Sequence, residues 1–177
     1  MTGATIWFTG LPSSGKTTLA TAVAEQLRAA GRPVELLDGD EVREFLSKGL
    51  GFSREDRETN VTRIGYVAAL LAGHGTTVLA SVISPYAASR DKVRALHGER
   101  GADFVEVHVA TPVDVCSERD VKGLYAKQRA GELRGLTGVD DPYEAPAQPE
   151  ITVATQDQTL DESVAQILLV LTARGLA

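Results

Sequence analysis

Nine consecutive residues, Gly10-Leu11-Pro12-Ser13-Ser14-Gly15-Lys16-Thr17-Thr18, constrain this chain more tightly than any other stretch. They fit G-x-x-x-x-G-K-[ST], the pattern of a loop that wraps phosphate groups. Gly10 and Gly15 let the backbone turn sharply, so that successive N–H groups point inward at anionic oxygens. A helix opening at Lys16 adds the positive end of its dipole at the same point. The Lys16 ammonium has the reach for β- and γ-phosphates, and the Thr17 hydroxyl is a ligand for Mg²⁺. The flanks agree with this reading. Thr5-Ile6-Trp7-Phe8-Thr9 predicts a short buried strand, and Leu19, Val23 and Leu27 form an i, i+4 stripe on the following helix. A glycine–serine turn that binds nothing is the bland alternative, and this strand–loop–helix setting disfavours it.

Downstream, Gly31 supplies a helix stop and Pro33 starts a second strand, Val34-Glu35-Leu36-Leu37. Strand, helix and strand with a short crossover imply a right-handed parallel unit. The carboxyl ends of such strands form the binding edge, so Asp38 and Asp40 emerge beside the phosphate loop. Two readings stand for these acids. Asp40 suits the N-cap of a helix from Glu41, or the pair serves Mg²⁺ or an acceptor hydroxyl. Ser53 caps a longer helix from Arg54 to about Ala72, with Val61, Ile64, Ala68 and Leu71 as its apolar stripe. Arg57 and Asn60 extend that stripe toward the helix N-terminus. Together with Arg43 they suggest a clamp on an anion or a nucleobase, against the ordinary alternative of solvated surface arginines.

The apolar run from Thr76 to Ile83 predicts a central strand that ends at Ser84-Pro85-Tyr86, which makes Ser84 a further site candidate. The strand lacks the terminal aspartate of a Walker B segment, leaving the metal to Asp38, Asp40 or water. A helix over 87–96, a strand Phe104–Val109 and a helix Val113–Arg119 follow. The stretch 120–141 has no clean periodicity and mixes glycines with Lys122, Lys127, Arg129 and Arg134. It reads as a closing lid or as a surface excursion. Three prolines then lead into a last strand, Ile151–Ala154, and a helix from about Asp161 whose Val164, Ile167, Leu168 and Leu171 face inward. The expected fold is one α/β domain over 1–177, a five-stranded parallel sheet with helices on both faces (three layers, α/β/α) and a lid over about 120–141.

The remaining features mostly exclude. A net charge of −6 and a pI near 5.1 disfavour nucleic acid or an acidic membrane surface as partner. One cysteine, Cys116, allows neither an internal disulfide nor a cysteine metal cluster, and reads as a small buried hydrophobe. No signal peptide or membrane-length apolar run is visible, so a cytoplasmic location is expected. His74 reads as a surface residue in a turn, and His97 and His108 as structural. Asp120-Val121-Lys122-Gly123 matches the short D-x-x-G pattern of nucleotide switches, yet the chain has no Asn-Lys-x-Asp for base recognition.

With these residues in place, the chain resembles the adenylylsulfate (APS) kinases of the P-loop kinase superfamily. The resemblance rests on the phosphate loop, Leu37-Asp38-Gly39-Asp40-Glu41-Val42-Arg43, and Leu50-Gly51-Phe52-Ser53-Arg54-Glu55-Asp56-Arg57 with Asn60. It continues through Ile83-Ser84-Pro85-Tyr86, Arg119-Asp120-Val121-Lys122-Gly123-Leu124-Tyr125 and the run from Thr137 to Pro146. It implies transfer of the ATP γ-phosphate to the 3′-hydroxyl of adenosine 5′-phosphosulfate, with Mg²⁺, in a homodimer. On the donor side it implies that the loop from Gly10 to Thr18 and Arg119 bind ATP. Thr17, with Asp38 through water, would hold the metal. On the acceptor side it implies that Arg43, Arg57 and Asn60 hold the nucleotide and Phe52 stacks on its adenine. Ile83, Ser84 and Pro85 line the pocket, and Gly123, Leu124, Leu136 and Thr137 complete it. Asp40 orients or deprotonates the hydroxyl, Lys122 lies near the transferring phosphoryl group, and Ser84 matches the family's phosphoserine position. A same-fold kinase of another nucleotide-like metabolite remains the alternative. Its motive is Leu136, which replaces the phenylalanine of relatives and gives one face of the adenine an aliphatic neighbour. Pro12 and Ser14 also depart from the family's usual loop, leaving Gly10, Gly15 and Lys16 intact.

Overall fold

The computed structural model describes residues 3–177. Five strands form one all-parallel sheet: β1 (Ala4–Thr9), β2 (Val34–Asp38), β3 (Thr77–Ser81), β4 (Asp103–Val109) and β5 (Ile151–Val153), in the order β2-β3-β1-β4-β5. The helices between them are α1 (Lys16–Ala29), α2 (Gly39–Phe45), α3 (Arg54–Gly73), α4 (Ala87–Gly98), α5 (Val113–Arg119) and α6 (Leu124–Arg129), with α7 (Leu160–Ala173) closing the chain.

β1 occupies the middle of the sheet because every residue in it is buried, which leaves no face for water. Its alternation sorts the two cores. Ile6 and Phe8 join Leu19, Val23 and Leu27 of α1 and Ile167 and Leu171 of α7 on one side. Trp7 joins Val61 and Ile64 of α3 and Val93 of α4 on the other. Each such side chain contributes about 1.5–3 kcal/mol when fully buried. Helices therefore cover both faces, as the sequence predicts. α3 and α4 pack so closely that a Cβ on Gly65 would lie 2.4 Å from a Val93 methyl.

Two local expectations are corrected. The cap of α2 is Asp38, whose carboxylate accepts the Asp40 N–H at 2.9 Å; Asp40 lies inside the helix. The 120–141 stretch is not wholly irregular. It holds α6, started by Gly123 at φ 68° and by the Asp120 carboxylate, which accepts the N–H groups of Tyr125 and Ala126. A third small core beneath it joins Cys116, Tyr125 and Leu136. Among the described residues no helix is long and apolar enough to cross a membrane.

Candidate active site

The carboxyl edge of the sheet opens into a cleft of about 820 Å³. Its floor is the loop between β1 and α1. Gly15 takes φ 104°, a left-handed conformation that a side chain would strain, and Ser14 N–H donates to Leu11 O at 3.2 Å. Lys16 is only 8% exposed and folds back over this loop, donating from Nζ to Leu11 O at 2.7 Å. Burial pushes its pKa down to about 8; Cys116 and Asp38 oppose this to a smaller extent, and the charge of Lys122 adds to it. A buried ammonium that bonds a carbonyl and a hydroxyl is a site in wait for an anion.

Next to it, Thr17 Oγ1 donates to Asp38 Oδ2 at 2.8 Å and lies 3.1 Å from Ser81 Oγ. Ser81, at the end of β3, was invisible as a site residue because its strand reads as core. Asp40 sits in the first turn of α2 and forms an ion pair with Lys122 across the mouth. Both side chains are more than half exposed, so the contact adds little stability.

The opposite wall carries Arg43, Phe52, Arg57, Asn60, Ile83, Ser84 and Pro85. The Arg43 guanidinium lies 4.5 Å from the centre of the Phe52 ring, which is 64% exposed and open to a stacking partner. Burial, followed by the charge of Arg57, lowers the Arg43 pKa. Arg57 is buried and donates to Phe52 O, Thr137 Oγ1, Gly135 O and Asp141 Oδ2, so it ties α3 to the 135–141 turn as well as lining the cleft. Asn60, also buried, leaves its side-chain carbonyl without a partner. Ser84 adopts φ 42°, accepts the Trp7 indole N–H at 3.0 Å and donates to Val82 O at 3.2 Å. Arg90 fixes the same loop by donating to Ser84 O, while pairing with Glu106.

Arg119, Lys122 and Leu124 line the cleft from the α5–α6 side. Gly10, Leu11, Ser14, Gly123, Leu136 and Thr137 do not reach its surface; Leu136 packs instead against Cys116 and Tyr125. The cleft extends along Thr155, Gln158, Leu160 and Ser163, which sequence reasoning missed. A signal for them was present. Thr159 and Glu162 form a capping box at the start of α7, and a helix that follows a parallel strand begins at the binding edge. The histidines stay out of the site. His97 is buried, bonding Thr5 Oγ1 and Val93 O, and His108 stacks on Tyr143. Cys116 is fully buried, and that burial raises its pKa, leaving an inert thiol.

A parallel sheet whose phosphate loop faces a second, cation-lined wall defines a P-loop phosphotransferase. The adenylylsulphate kinase family model matches residues 2–154. Over 173 residues the chain is 54% identical to the adenylyl-sulfate kinase of a Synechococcus species, covering 98% of this chain and 97% of that one. Over 174 residues it is 55% identical to the adenylyl-sulfate kinase of Myxococcus xanthus, covering 98% and 94%. The APS kinase of Mycobacterium tuberculosis, solved in complex with AMPPNP and APS, superposes with a TM-score of 0.93 at 43% identity, covering 97% of this chain and 98% of that one. The chain belongs to the adenylylsulphate kinase family.

Proposed function

We propose that this chain transfers the γ-phosphoryl group of ATP to the 3′-hydroxyl of adenosine 5′-phosphosulfate, giving 3′-phosphoadenylylsulfate and ADP. The observation that carries this reading is the two-walled cleft. One wall is the phosphate loop with the buried Lys16, and the other presents Arg43, the open Phe52 ring and the unpartnered Asn60 carbonyl.

Phosphoryl transfer needs alignment and charge neutralisation more than covalent chemistry. Lys16 and the loop amides hold the β- and γ-phosphates, with the donor nucleoside lying along Arg119, Thr155 and Gln158. Asp40 orients the acceptor hydroxyl and takes its proton, and Lys122 offsets charge on the moving phosphoryl group. The Thr17–Asp38–Ser81 cluster is all oxygen and carries a single carboxylate, which suits Mg²⁺ held mainly by phosphate and water. Thr17 would be its direct protein ligand and Asp38 its partner through water; bound there, the ion neutralises phosphate charge. No group of three or more His, Cys, Asp or Glu suited to a metal occurs among the described residues, consistent with a metal carried in by the nucleotide. Residues 1–177 act as one domain, with 120–141 as the lid over both substrates. The exposed Phe45, Leu46, Tyr66 and Leu70 of the α2–α3 region support a homodimer, which light scattering would test. A cytoplasmic location follows from the need for ATP.

A coupled ADP-release assay with adenosine 5′-phosphosulfate against a panel of nucleotides tests the substrate. Sulfated nucleotide is expected to give the highest kcat/KM. A higher value with another nucleotide would move the activity to that substrate.

A further inference from the structure

The carbonyl of Ser14 sits in a cluster of donors, two of which, Thr155 and Arg119, also line the cleft. Thr111 Oγ1 lies 2.9 Å from it and Thr155 Oγ1 3.0 Å, with Arg119 Nη1 at 3.4 Å. The two hydroxyls are 2.5 Å apart, and Arg119 Nη1 donates to Thr155 Oγ1 at 2.8 Å. Hydrogen counting orders this cluster. Each threonine hydroxyl has one proton to give. Arg119 must donate, so one consistent chain runs Arg119 to Thr155, Thr155 to Thr111, and Thr111 to the Ser14 carbonyl. Successive bonds in such a chain polarise one another.

The Ser14–Gly15 peptide is trans, which puts the Gly15 N–H on the side opposite the held carbonyl. Gly15 lines the cleft and Ser14 does not. Glycine at φ 104° has little steric resistance to a peptide flip, so the bonds to the Ser14 carbonyl bear on its orientation. Thr111 is 4% exposed, lies just beyond the end of β4 and does not touch the cleft.

We propose that Thr111 is a positioning residue for ATP: its hydroxyl pins the Ser14 carbonyl so that the Gly15 amide faces the donor phosphates. Arg119 lies at the outer end of the same chain and on the cleft wall, which links the nucleoside end of the donor site to the phosphate end. The proposal rests on the donor side of the reading above and is independent of the acceptor.

Thr111→Val keeps the shape and removes the hydroxyl, while Thr111→Ser keeps the hydroxyl. Calorimetric titration with MgADP and steady-state kinetics in both substrates compare these variants with the parent chain. Thr111→Val is expected to weaken MgADP and raise the KM for ATP by about five- to tenfold, the effect of one hydrogen bond. The acceptor KM should stay within about twofold, and Thr111→Ser should recover most of the loss. Equal MgADP affinity in the parent and Thr111→Val, or an equal rise in both KM values, overturns the positioning role. Thr111→Val losing thermal stability without the KM split overturns it too. A parent chain that binds no MgADP overturns the donor-site reading itself. A Thr111→Val chain that fails to fold leaves Thr111→Ser to decide, because a serine as weak as a missing hydroxyl also overturns the proposal.

Discussion

The indole N–H of Trp7, in the central strand, donates to Ser84 Oγ at 3.0 Å, tying the sheet core to the loop that lines the cleft opposite the phosphate loop. Ser84 spends its own proton on Val82 O at 3.2 Å, within a left-handed backbone turn. A nucleophilic serine needs a base within hydrogen-bond reach, and the partners of this hydroxyl are an indole N–H donor and a carbonyl. Ser84→Ala is therefore expected to retain most of the turnover while destabilising the fold by about 1–3 kcal/mol, since a buried indole N–H loses its acceptor. Urea unfolding followed by emission of the single tryptophan reads the stability, and ADP release reads the turnover. Turnover falling to background in a folded Ser84→Ala would instead require a covalent role.

The second prediction concerns proton linkage at Lys16. Its folded pKa is about 8, against 10.5 for a free side chain, with burial the main cause. The unfolded chain therefore holds the extra proton between these values, so this group's contribution to stability rises with pH across that window; below about pH 8 its buried charge costs stability. Phosphate binding requires the charged form. Nucleotide affinity should accordingly fall above about pH 8, approaching tenfold per pH unit, with proton uptake on binding. Titrations at pH 9 in two buffers of different ionisation enthalpy measure that uptake. A flat affinity from pH 7 to 9.5 would show that Lys16 keeps its ordinary pKa.

The limits of the sequence reading have the same physical origin throughout. Period and punctuation made β1, α1, β2 and α3 legible, because burial of an apolar stripe is a local signal. Helix α6 was not legible: its six residues, set between the left-handed Gly123 and Gly131, carry too little periodicity. The cap at Asp38 and the interior position of Asp40 differ by a shift in helix start that either acid would permit. The bonds from Arg57 to Thr137, Gly135 and Asp141 span roughly eighty residues, and no local pattern encodes them. The sequence offers Arg57 as a site candidate, and nothing local marks it as the anchor of the 135–141 turn that follows α6.

Asp40 supplies the third prediction. Its ion pair with Lys122 is exposed on both sides, so breaking it should scarcely alter stability. A general base positioned at a hydroxyl is worth about 10²–10⁴ in rate. Asp40→Asn should lose kcat on that scale, with MgADP affinity unchanged and thermal stability close to the parent. Parallel loss of MgADP binding would place Asp40 at the donor phosphates instead.

Leu136 poses the sharpest test of whether family resemblance or local packing decides a residue's role. Family resemblance puts position 136 on the acceptor base, whereas here the side chain is 5% exposed between Cys116 and Tyr125, outside the cleft lining. A phenylalanine would overfill that small core, and overpacking costs about 1–3 kcal/mol. If this packing persists with substrate bound, Leu136→Phe should lower the melting temperature and leave the acceptor KM within about twofold of the parent. An aromatic ring reaching the base would add about 0.5–1.5 kcal/mol, a drop in acceptor KM of up to roughly tenfold. The two outcomes separate on acceptor KM alone. A lower acceptor KM would mean that the 135–141 turn leaves its core when the acceptor binds, carrying residue 136 from Tyr125 to the nucleobase.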